Sequence, residues 1–172
     1  MTRRRLLAAG ADPVAHGLLA GVVAAPLARA GGRGPVVTAV AAGTLIDVDH
    51  LLAARSLRPA SWLTLGARPR AHTLMLAVGA GGVAAVVGGP AHGWAAFGGV
   101  ASHLLRDASD AGGTPILWPL SGRRSIPRPA YAAGIAGLAL GSWLVSRASG
   151  AGAAATSSHA AAAGAAARPR TA

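Results

Sequence analysis

The sequence contains no cysteine, no lysine and no glutamate, and aromatic residues make up only 3% of its 172 positions. The lack of cysteine excludes a disulfide framework, a thiolate zinc site and a cysteine nucleophile. The lack of lysine and glutamate leaves 16 arginines against five aspartates, for a net charge of +11. So few aromatic residues beside 52% hydrophobic residues and 25 glycines do not describe a soluble core. They describe packed membrane helices, where small residues let backbones approach closely.

A sequence pI near 12 would suit nucleic acid, but that reading needs a basic face interleaved with stacking aromatics or a polar reading helix. Neither is present, so nucleic acid is not an expected partner. The arginines fall between apolar runs instead, where anionic lipid headgroups and the positive-inside rule account for them. Membrane lipids are the expected surroundings.

Five apolar stretches stand out, at Val14 to Ala28, Val36 to Ala54, Thr73 to Gly89, Pro90 to Leu105 and Ala130 to Ser146. Each lies near the lower limit of a span, which takes about 17 to 25 residues, and the fourth also suits a tilted or re-entrant segment. Gly88, Gly89 and Pro90 predict a tight turn between the third and fourth. The expected fold is all-α, a polytopic membrane helix bundle of four to five transmembrane or re-entrant helices. With a cytoplasmic N-terminus and five crossings, eleven of the sixteen arginines fall on the cytoplasmic side: Arg3, Arg4, Arg5, Arg55, Arg58, Arg68, Arg70, Arg106, Arg123, Arg124 and Arg128. That bias supports the orientation and a multi-pass place in the bacterial inner membrane.

Three regions follow: a basic N-terminal segment over residues 1–13, a membrane-embedded domain over 14–147, and an Ala/Gly-rich tail over 148–172. The tail shows no period that would bury a face and is read as disordered. His159 lies within it and is assigned no role. The start, Thr2-Arg3-Arg4-Arg5-Leu6-Leu7, has the look of a signal peptide, but Asp12, Pro13 and His16 interrupt its apolar core and argue against cleavage.

Chemistry concentrates where ionisable groups are scarce and costly, because acids and imidazoles inside membrane segments are retained for function. Asp47, Asp49 and His50 form Asp-x-Asp-His between apolar residues, and carboxylates this close repel unless a cation or proton neutralises them. His103, Asp107 and Asp110 follow a spacing that sets the later two about 40° and 20° from the first on a helix, on one face. His16 opens the first segment and His72 the third, while the aspartate clusters close the second and fourth. In an alternating topology all four places share one membrane side, and His92 falls on the other. Taken singly, each has a plainer explanation: an interfacial histidine, a helix cap or an i,i+4 pair. Independent accidents would scatter over both sides, so the coincidence points to a shared metal site with His16, Asp47, Asp49, His50, His72, His103 and Asp107 as ligands. Imidazole with carboxylate selects zinc, or else manganese or iron, over calcium, which prefers oxygen alone. One or two ions are expected.

Over about His16 to Pro119 the chain resembles bacterial inner-membrane proteins described as membrane-bound metal-dependent hydrolases. The resemblance rests on His16-Gly17, on Ile46-Asp47-Val48-Asp49-His50, on Arg68-Pro69-Arg70-Ala71-His72-Thr73, and on His103 to Asp107 leading into Gly113-Thr114-Pro115-Ile116-Leu117-Trp118-Pro119. It implies hydrolysis at a metal centre. A distant similarity to helical zinc phospholipase C and nuclease folds suggests a phosphoester, by analogy alone. Ala67 stands where the family tends to have a histidine, so one ligand is absent. Asp110 stands where threonine is commoner, which leaves a substitute ligand, a general base or neither.

The expected function is therefore a membrane-bound metal-dependent hydrolase at the cytoplasmic face, acting on a small-molecule or lipid-linked phosphoester. Asp110 would position or deprotonate water, and Arg68, with Arg70 less central, would clamp an anionic headgroup. Two alternatives come from other classes: a metal or proton transporter or other ion-binding membrane protein, whose sites should lie near mid-membrane, and a catalytically inactive scaffold.

Overall fold

The computed structural model describes residues 3–56, 72–110 and 112–166, and the side chains of 12–50, 52–56, 72–110 and 112–152. Among these residues the architecture is helical, with a single isolated β-bridge between Thr114 and Arg124. Helix α1 spans Arg3–Ala24, and a 3-10 turn at Ala25–Leu27 leads into the short α2, Ala28–Gly31. Helix α3, Gly34–Leu45, starts with Pro35 in its first turn, where a missing N–H costs nothing. Helix α4 covers Val48–Ala54, α5 Leu74–Gly88, α6 Pro90–Ser109 and α7 Arg128–Ala166.

Local chemistry sets these boundaries. Thr73 caps α5, its Oγ1 accepting from the Leu76 N–H at 3.4 Å. Gly89 separates α5 from α6 at φ 84 and ψ 178, as the Gly-Gly-Pro sequence predicts, and Pro90 opens α6. That backbone region is open to glycine alone. Nothing lies within 4 Å of a Cβ built at Gly89, so Gly89→Ala meets a conformational penalty and no clash. We expect a loss of about 1–3 kcal/mol, measurable as a lower unfolding temperature in detergent.

Helix α6 is the hub, packed against α1, α3, α5 and α7. It buries small residues, among them Gly93, Ala95, Ala96, Gly98, Gly99, Ala101 and Ala108, which lets four neighbours approach it. Two apolar clusters fill the interior, one around Val23, Ile46, Val100 and Leu104 and one around Ala20, Leu27 and Ala39. On α7, Gly141 sits against the Trp94 ring, and Trp94 Nε1 donates to Ser142 Oγ at 3.0 Å.

The outer surface is apolar. Val86 and Val87 on α5 are 89% and 84% exposed, and Leu18, Val22, Val37, Leu45 and Leu140 also point outward. Buried histidine and aspartate with exposed valine and leucine invert the pattern of a water-soluble domain and suit a lipid surround. Three helical stretches, Asp12–Gly31, Gly34–Ala54 and Arg128–Gly152, are long and apolar enough to cross a membrane, and Leu74–Gly88 is a shorter apolar helix.

Two features differ from the sequence reading. The second apolar stretch is not one helix, because the backbone tightens at its aspartates to three-residue hydrogen bonds from Asp47 N to Thr44 O and from His50 N to Asp47 O, at 3.3 and 3.0 Å. This tightened turn separates α3 from α4 while Ile46 and Asp47 keep right-handed helical dihedrals. The last helix runs to Ala166, through the stretch expected to be disordered. Alanine's helix propensity supports that backbone.

Candidate metal centre

Four segments bring their scarce polar side chains to one end of the bundle. His16 comes from α1, Asp47 from the turn after α3, Asp49 and His50 from the first turn of α4, His72 from the residues before α5, and His103 and Asp107 from successive turns of α6. His16, His72, His103 and Asp107 are at most 1% exposed.

The centre of the cluster is a ring of four donor atoms. His103 Nε2 lies 3.4 Å from both Asp47 Oδ1 and Asp107 Oδ2, and His72 Nε2 lies 3.8 and 3.6 Å from the same two oxygens. A tetrahedral ion with ligands about 2.0–2.2 Å away requires donor–donor edges of about 3.3–3.6 Å. Three of the four edges, at 3.4, 3.4 and 3.6 Å, fall in that range, and the His72–Asp47 edge, at 3.8 Å, is slightly longer. The Nε2 atoms of His72 and His103 are buried and have no hydrogen-bond partner, a costly state for a polar atom unless a cation uses its lone pair. The donor set therefore fits a divalent metal.

Surrounding contacts fix the donors. His103 Nδ1 is 2.7 Å from the Gly43 carbonyl, so it donates there and presents Nε2 to the centre. This bond needs α3 and α6 in unusually close contact. A Cβ on Gly43 would lie 2.9 Å from the Gly99 carbonyl oxygen, and one on Gly99 would collide with the Ala39 carbonyl oxygen. His16 stacks on His103 with ring centroids 3.7 Å apart, and its Nε2 is 3.5 Å from Asp107 Oδ1. Asp107 thus faces His16 with one oxygen and the other two imidazoles with the second.

His72 Nδ1 meets Asp49 Oδ2 at 2.9 Å, and His50 Nδ1 lies 3.0 Å from Asp49 Oδ1. Burial opposes charge on the His72 imidazole, but the nearby Asp47 carboxylate, the hydrogen bond to Asp49 and the charges of Asp49 and Asp107 outweigh it and push the pKa up to about 9. Metal uptake at such a residue competes with its proton.

All seven residues proposed as ligands from the sequence are thus gathered, and three overlapping groups among them bring ligand atoms within 4.8 Å of one another: His16, His103 and Asp107; Asp47, His72 and His103; and Asp49, His50 and His72. His92 lies apart from these groups, with Nδ1 2.9 Å from Thr38 Oγ1. Asp110 stands exposed at the C-cap of α6, outside the ion-holding groups. Arg68, Arg70 and Ala67 lie outside the described residues, and so does the side chain of His159.

Sequence reading missed the backbone anchor at Gly43 and the tie between Arg106 Nη2 and Asp12 Oδ1 at 2.8 Å, which joins α1 to α6 beside His16. The pair of glycines at 98 and 99, one helical turn before His103, was the available signal for close packing.

No curated protein and no solved structure matches the chain. A family profile described as YdjM inner membrane protein matches residues 12–168, a range that includes every residue of the cluster. The chain belongs to the YdjM inner membrane protein family, a multi-pass protein of the bacterial inner membrane.

Proposed function

We propose that the cluster is the metal centre of a membrane-bound hydrolase that acts at the cytoplasmic face on a phosphoester, small or lipid-linked. The observation that carries this reading is the four-donor ring of His72, His103, Asp47 and Asp107, with edges of 3.4 to 3.8 Å. Mixed imidazole and carboxylate donors favour zinc, with manganese or iron as the other candidates. A bound divalent ion supplies Lewis acidity and lowers the pKa of its water toward neutrality.

The chain's own residues supply the rest. His16, stacked on His103, completes the imidazole wall beside Asp107. Asp110, one turn beyond Asp107, is proposed as the group that orients or takes a proton from water. Arg68 is proposed to clamp the anionic part of the substrate. The arginine bias toward the cytoplasmic side expected from the sequence favours anionic lipid headgroups nearby.

The reading is tested by elemental analysis of detergent-purified protein, together with a screen of phosphatase and phospholipase substrates. At least one ion per chain is expected, with hydrolysis that a chelator abolishes and zinc restores. A protein that stays metal-free after zinc loading overturns the reading. Metal flux into liposomes without hydrolysis replaces it with transport.

A further inference from the structure

We infer that Asp49 is a positioning residue that orients His72 and is not itself a ligand, and that the cluster seats a single ion among His72, His103, Asp47 and Asp107. This rests on the metal reading above and divides the aspartates of the Asp-x-Asp-His motif into inner and outer roles.

Distances separate the two roles. Two ligands of one tetrahedral ion stay about 3.3 Å or more apart, because each sits about 2 Å from the metal and they are splayed around it. The donors facing the centre obey this, at 3.4 to 3.8 Å. His72 Nδ1 and Asp49 Oδ2, at 2.9 Å, are at hydrogen-bond length and closer than two ligands of one tetrahedral ion. His50 Nδ1 and Asp49 Oδ1, at 3.0 Å, are also closer than two ligands of one tetrahedral ion.

Valence leads to the same division. A neutral imidazole has one protonated nitrogen and one lone pair. His72 appears in two of the ion-holding groups, one with Asp47 and His103 and one with Asp49 and His50, and its single lone pair serves one of them. The hydrogen bond to Asp49 places the proton on Nδ1 and leaves the lone pair on Nε2, which has no partner and faces Asp47 and Asp107. His103 repeats the pattern, with Nδ1 on the Gly43 carbonyl and Nε2 without a partner. In both, an oxygen behind the ring fixes the tautomer and aims the other nitrogen at the centre.

Titration of the detergent-purified full-length chain with cobalt(II) tests this, using wild type, Asp49→Ala, Asp49→Asn and Asp47→Ala. Wild type should bind one ion per chain. Asp49→Ala should keep one ion and the same visible cobalt bands, because the ligands are unchanged, with affinity lower by about 10–100-fold, the usual effect of losing an outer partner. Asp49→Asn, whose amide oxygen still accepts from Nδ1, should recover part of that loss and serves as the control for folding. Asp47→Ala should lose the ion. The inference is overturned if wild type binds two ions and Asp49→Ala one, or if Asp49→Ala and Asp49→Asn both lose the metal as completely as Asp47→Ala. A wild type that binds no ion overturns the metal centre itself.

Discussion

Replacing His103 with alanine is expected to abolish stoichiometric metal binding, with an affinity loss well beyond the 10–100-fold typical of outer partners. His103 Nε2 makes the two shortest donor–donor edges of the ring, 3.4 Å to Asp47 and 3.4 Å to Asp107. Its removal therefore leaves both carboxylates without the donor they share. The substitution also takes away the ring on which His16 stacks and the partner of the Gly43 carbonyl. Elemental analysis and competition with a chromophoric chelator measure the loss. His92→Ala is the matched control, since His92 pairs with Thr38 away from the cluster. Equal metal content in wild type and His103→Ala would refute the assignment.

The second large effect is expected at a residue that touches no donor. Gly99→Val places a side chain on the Ala39 carbonyl, with its Cβ 3.0 Å from the carbonyl carbon and 3.1 Å from the Ala39 Cα. These are backbone atoms, and they cannot rotate aside, so α3 and α6 must separate. Overpacking of this kind costs about 1–3 kcal/mol. Separation also pulls the Gly43 carbonyl away from His103 Nδ1, now at 2.7 Å, so metal affinity should fall by at least about tenfold as an outer partner is lost. Gly82→Val is the control, because a Cβ there meets nothing within 4 Å and should change stability by less than about 0.5 kcal/mol. Thermal unfolding in detergent and zinc titration on the same samples read both effects. If Gly99→Val unfolds and binds zinc like wild type, the close helix contact does not support the site.

The site's composition was legible because a membrane chain with five aspartates and six histidines has little room for accident. Groups that are expensive in lipid stand out by residue type and position alone, and alternation of the apolar stretches placed His16, the Asp47 motif, His72 and the His103 motif at one end. The Gly-Gly-Pro turn was legible because it depends on local backbone sterics. The break between α3 and α4 was not, since residues 36–54 read as one continuous apolar stretch; the turn follows from where Asp47 and Asp49 find partners. Nor did helical periodicity reveal which helix is enclosed. The central α6 contains His92, His103, Arg106 and Asp107, and its short apolar stretch suited a tilted or re-entrant segment as well as a crossing. It is tolerated inside because four other helices cover it.

By itself, the sequence determined the helical class, the membrane setting and the inventory of ligand-type residues, because hydropathy, residue scarcity and turn chemistry are properties of neighbouring residues along the chain. Tertiary structure alone decided which imidazole nitrogen faces the centre, which aspartate of the pair sits inside and which outside, and that a glycine carbonyl anchors His103. Those roles depend on differences of a few tenths of an ångström between contacts that join residues up to 60 positions apart, set by how closely glycine-lined helices pack.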